Sequence, residues 1–150
     1  MAEPGSFFRV QPRVESDSVS PARSAAEYAG LVHRPSPHVK KIAAAFRRHA
    51  LGHAAASWDG DSRGADRHHR RLIEALLALR DHGIEGQSAL LRLLEDEEGA
   101  VRGWAAAHSL ELDETRSTRI LEEVANDPRL VGIEASAVLE EWRAGRPEGP

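Results

Sequence analysis

Seven of the eight histidines in this 150-residue chain lie between residues 33 and 82. His49 and His53 stand four residues apart, the spacing that projects two side chains from one helix face. Asp66, His68 and His69 follow the helix-breaking run Trp58-Asp59-Gly60-Asp61-Ser62. If the chain turns back near Asp59-Gly60, positions 49 and 53 come level with residues 66 to 70. Imidazoles and a carboxylate converging from two helices can bind zinc, nickel or non-haem iron. His49, His53, Asp66 and His69 are therefore one candidate metal site. The competing reading gives the interface to Ile42, Phe46 and Leu72, with the histidines solvated at its flanks. No His-Glu-x-x-His or Glu-x-x-His pattern adds support for a metal. His108, in an Ala-rich stretch, reads as a core histidine rather than a base.

Charge supplies two further candidates. Residues 1–83 hold 13 basic and 9 acidic side chains, whereas residues 84–150 hold 7 basic and 15 acidic. Such an acidic half repels phosphate backbones and attracts basic partners. Within it, Glu95, Asp96, Glu97, Glu98 and Glu111 fall at helix-joining turns, which stacked hairpins would align into an acidic ridge. The ridge suits a basic protein partner, as in an immunity protein covering a nuclease toxin; Glu97 and Glu98 also favour the following helix N-terminus. On the other half, Arg47, Arg67 and Arg71 belong to an Arg-rich pair of helices with the charge that nucleic-acid binding requires. Against it stand the acidic second half and the scarcity of aromatics for base stacking.

Other chemistries have little to build on. The chain has no cysteine, which removes thiol nucleophiles, disulfides and Cys-ligated zinc. No glycine-rich phosphate loop follows a strand, and Ser88 and Ser109 have no placed His and carboxylate partners. No cofactor is expected. No apolar run approaches the roughly 18 residues needed to span a bilayer. The first residues lack a signal peptide's charged start and apolar middle, so the expected location is cytoplasmic. Arginine outnumbers lysine 18 to 2, which points to a GC-rich bacterial coding sequence.

The elements that must position these residues are helical. Residues 1–35, broken by proline and serine, read as a flexible tail in which Phe7-Phe8-Arg9-Val10 could lie against the domain. Ser36-Pro37 is a helix start, and Val39, Ile42, Phe46, Ala50 and Ala54 recur at helical spacing to about Ser57. A second helix carries Leu72, Ile73, Leu76, Leu77 and Leu79 and ends near His82, with Gly83 left-handed beyond it. Four shorter helices follow. They cover Gln87 to Glu95, then Ala100 to Leu110 with Val101, Trp104, Ala105 and His108 inward, a third capped by Asp113, and a fourth that stops before Gly145. Residues 146–150 are a second tail.

The stretch Leu91-Arg-Leu-Leu-Glu-Asp96, followed by Val101-Arg102 and Ala105-Ala-Ala-His-Ser-Leu110, resembles a HEAT repeat: an acidic turn, then Val-Arg opening an Ala-rich helix. Arg102 is positioned to pair with the turn carboxylates, Asp96 first, and Glu97 stands where a proline is usual. The turn at Asp127 repeats that at Asp96 at an offset of about 31 residues, without the Val-Arg pair. Phe46, Gly60-Asp61-Ser62, Ala65-Asp66-Arg67 and Leu72, with these hairpins, are similar to a family of small bacterial helical proteins. It is known only as the domain of unknown function numbered two thousand and nineteen, in which Asn more often fills the place of Asp66. The likeness runs over about residues 39–143. It implies an all-α, right-handed α-α superhelix of the HEAT/armadillo kind, over residues 36–145, and carries no catalytic residues. The expected molecule is a long helical hairpin plus two HEAT-like hairpins, a non-enzymatic module that grips a protein. The alternatives are a His-rich metal-binding protein or metalloenzyme, and an Arg-dependent nucleic-acid binder.

Overall fold

The computed structural model describes residues 35–145, and among these every regular element is helical. The tail residues before Pro35 and after Gly145, with Phe7-Phe8-Arg9-Val10, lie outside the described residues. Helix α1 spans Pro37–Trp58, α2 Ser62–Asp81, α3 Gly83–Arg92, α4 Gly99–Ala107, α5 Glu114–Ala125 and α6 Leu130–Ala144; a 3-10 turn, Leu93–Glu95, extends α3. Among the described residues no helix is long and apolar enough to cross a membrane.

Side-chain caps set the starts. The Ser36 hydroxyl accepts the Val39 N–H at 3.2 Å, with Pro37 contributing no N–H of its own to the first turn. Asp61 does the same for α2, accepting from Gly64 N–H at 2.9 Å, and Asp113 for α5, from Arg116 N–H at 3.2 Å. Gly60 (φ 73°) and Gly83 (φ 58°) hold left-handed backbone at the two turns that bound α2. Because Gly83 turns the chain so sharply, α3 begins there and not near Gln87. Its early Glu85 carboxylate reaches the backbone N–H of Ser36, which ties α3 to the root of α1.

Two of the turns share one construction. Asp96 Oδ1 accepts the Glu98 N–H at 2.9 Å ahead of α4, and Asp127 Oδ1 accepts the Arg129 N–H at 2.9 Å ahead of α6. Trp104 and Ala135, equally far beyond their turn aspartates, are both fully buried. The offset read from the sequence thus corresponds to a repeated local geometry.

Packing runs largely between neighbours in the chain. Helix α1 lies along α2, α2 against α3, and α5 between α4 and α6; α4 also meets α1 and the 3-10 turn, and touches α3 only lightly. One continuous core results, with Phe46, Leu72, Leu76, Leu79, Trp104 and Leu121 as its large members. Ala105, Ala106 and Ala107 are buried and let α4 approach its neighbours closely. Leu77 departs from expectation: it lies off the α2 stripe and is 49% exposed. Trp142 is half-buried, and its indole N–H donates to Glu114 at 3.3 Å.

Candidate functional site

The histidines meet across the α1–α2 hairpin as their spacing implies, but in pairs. His49 Nδ1 stands 3.0 Å from His68 Nδ1. His53 faces His69 with ring centroids 6.2 Å apart, and both rings lie 5.5 Å from the Trp104 indole. His108 stacks on Trp104 at 6.0 Å with planes 10° apart. His53 and His108 are buried, so burial and not flanking solvent defines them. Among the described residues no three His, Asp or Glu side chains are grouped to hold a metal ion. Of the four candidate ligands, His53 and His69 share one ring contact, His49 pairs with His68 instead, and Asp66 is exposed.

The two buried rings, His53 and His108, are tuned toward neutral imidazole. Burial pushes His108 down to about 3 and His53 down to about 4, with the neighbouring His69 lowering both further. Both ring nitrogens of His108 lack a hydrogen-bond partner. The row is therefore core packing made from titratable rings, held by Trp104, which the periodicity had placed inward.

The acidic residues divide by role. Asp96 is largely enclosed, with 11% of its side chain exposed, and its second oxygen accepts Arg47 Nε–H of α1 at 2.8 Å. Arg102 does not take that carboxylate: its guanidinium donates to the Asp96 carbonyl at 2.8 Å, because α4 leaves the turn with Arg102 facing the backbone. Asp96 thus fastens α1 to the start of α4. Replacing Asp96 with Ala should lower the urea-unfolding midpoint, since it removes the acceptor shared by Arg47 Nε–H and the Glu98 N–H; an unchanged midpoint would contradict that role. Glu95 pairs with Arg116 at 2.9 Å, while Glu97, 87% exposed, reaches only 3.9 Å from Arg47. Glu98 and Glu111 are exposed.

The arginine candidates are mostly engaged. The hydrogen bond and charge of Asp96 raise the Arg47 pKa. Arg71 pairs with Glu74 at 3.2 Å, and Arg67 stays exposed.

A surface cavity of about 550 Å³ opens where the last turn of α1 meets the first turns of α4 and α6. Leu51, Ala54, Ala55, Ala100 and Val131 give it apolar walls, with Trp58 and Leu130 at its mouth. Trp58 is 77% exposed and Leu130 47%, and both lie beside this one opening. Asp59 and Glu98 line it too, and Glu97 is next along the chain. Among the described residues Arg129 is the one lining cation, and it is occupied: Asp127 accepts its Nε–H at 2.9 Å, a bond that holds the Asp127 carboxyl down to about 2. The charge left at the mouth is negative.

Sequence reading did not single out Trp58, Leu130 or Arg129. A trace existed for Trp58, a large aromatic at a helix end whose neighbours one turn back, Ala54 and Ala55, are too small to cover it. Comparison with protein-family models, with curated proteins and with solved structures finds no match to this chain.

Proposed function

We propose that this chain is a non-enzymatic, HEAT-like helical-repeat module that binds a basic protein partner in the groove between α1, α4 and α6. The observation that carries the reading is the groove itself: an apolar trough with an exposed indole at its lip and, among its described lining residues, more carboxylates than cations on its rim. An exposed Trp beside a concavity is a usual anchor of protein recognition, and indoles carry a large share of such binding energy. The occupant that fits is a segment with an apolar side chain for the trough and Arg or Lys for Glu97, Glu98 and Asp59. Glu98 joins the groove to the acidic turn, so the ridge and the trough form one surface; Asp96 serves it by fixing the turn. A toxin-neutralising or regulatory role in a bacterial cytoplasm belongs to the same reading, as does membership of the family of small helical proteins. The repeated turn geometry at Asp96 and Asp127 supports the superhelical architecture. Nucleic acid suits the surface less well, because Arg47 and Arg71 already have carboxylate partners.

Selection of random displayed peptides on the wild-type protein tests this. Enriched sequences should combine an apolar anchor with flanking Arg or Lys. Affinity for a selected peptide should fall by about 30-fold in Trp58→Ala, the loss of one indole anchor. It should fall by about tenfold in Glu97→Lys/Glu98→Lys, with the melting temperature unchanged. Peptides bound equally by wild type and both variants would overturn the proposal.

A further inference from the structure

The outer histidine pair offers a site that the core row does not. His49 and His68 are half-buried, come from adjacent antiparallel helices, and face each other through Nδ1 at 3.0 Å. Two neutral imidazole nitrogens each presenting a lone pair repel at that range. Something positive must lie between them: the N–H proton of one ring, or a metal ion. Two imidazole nitrogens bound in cis positions, each about 2.0 Å from one ion, stand ~2.9 to ~3.3 Å apart. The observed separation is within that window before any ion arrives.

The seat is also built to hold the ring. Gly52, one turn beyond His49 on α1, leaves bare backbone against which the His68 imidazole lies; a Cβ there would come 2.5 Å from its Nδ1. Gly52 thereby leaves the room that the His68 ring fills beside His49. One turn further along α2, Arg71 is paired with Glu74 at 3.2 Å, which offsets part of the positive charge near the mouth; Arg48 is the other cation acting on His49. Half-exposure leaves the remaining coordination positions to water.

We propose that His49 and His68 form a two-histidine site for a borderline divalent transition-metal ion of the Zn2+, Ni2+ or Cu2+ class. The ion clips α1 to α2 at mid-hairpin, and because only the folded hairpin brings the two rings together, binding stabilises the fold by mass action. The site is independent of the groove, which lies at the end of α1.

The test uses the full chain made without a histidine tag, stripped of metal with chelator, and melted with and without Zn2+ alone. The wild type should gain about 5 °C at saturating Zn2+. His49→Gln and His68→Gln should each abolish the gain. Gly52→Ala, which displaces the His68 ring while keeping both histidines, should abolish it too. His82→Gln removes one ring of the exposed His38–His82 contact (centroids 5.1 Å) and should leave the gain intact. With Cu2+ as probe, the paramagnetic spectrum should show two nitrogen ligands in the wild type. No gain in the wild type would show that a proton alone bridges the pair. A gain that survives His49→Gln or His68→Gln would place the ion elsewhere. Either result overturns the proposal.

Discussion

Taking the protein from pH 7 to pH 5 should cost its fold about 3 kcal/mol, most of it through two histidines. Burial lowers His108 to about 3 and His53 to about 4, against about 6.5 in the unfolded chain. For a base whose folded pKa is depressed, the unfolded state takes up protons first. The stabilisation is complete above pH ~6.5 and is lost as pH falls from there toward the folded-state values. Each fully coupled group contributes ~1.4 kcal/mol per pH unit in that window. His108 is the more enclosed and delivers nearly all of its share, while His53 is discounted for screening. His49, lowered chiefly by burial, acts in the same direction. Urea unfolding at successive pH values checks this, and His108→Leu should flatten the slope by about half. A wild-type stability that is level between pH 7 and pH 5 would mean that the inner row is open to water.

Truncating Trp104 should cost about 4 kcal/mol, near the upper end for a single core side chain. The indole is fully buried on α4 and meets the rings of His53 on α1, His69 on α2 and His108 at the C-terminal cap of α4. Its removal opens a void where three helices meet, too tightly framed to collapse. Trp104→Phe should cost roughly half as much, since it keeps the aromatic stack and loses only part of the volume. Denaturant midpoints of the two variants decide it. A loss under ~1 kcal/mol in Trp104→Ala would show that the site relaxes and that Trp104 is not the plug we describe.

The helices were legible because their signals are local. Ser36, Asp61 and Asp113 cap as their types imply, and Gly83 turns left-handed as expected. The third helix was placed too late because its first turn, Ile84-Glu85-Gly86, is neither strongly apolar nor capped by a side chain. The histidine window was legible too, since a hairpin hinged at Gly60 fixes the level of its partners. Which rings pair was not, because it depends on Gly52 vacating the space that His68 fills. Likewise Asp96 could be read as a turn residue, yet its partner Arg47 is 49 residues away and follows from how α1 crosses α4. The groove was the least legible feature. Its walls come from residues 51–59, 98–100 and 129–131, and no spacing rule relates segments that distant. Trp58 reads as a helix end until α4 and α6 are set beside it.

The central claim is that the chain acts through the trough at the end of α1. Amide hydrogen exchange of the protein with and without a saturating selected peptide measures this directly. Added protection should be confined to residues 51–59, 98–103 and 129–134, with the α1–α2 arginine face unchanged. Protection over Arg67 and its neighbours, with those three segments exchanging as before, would contradict it.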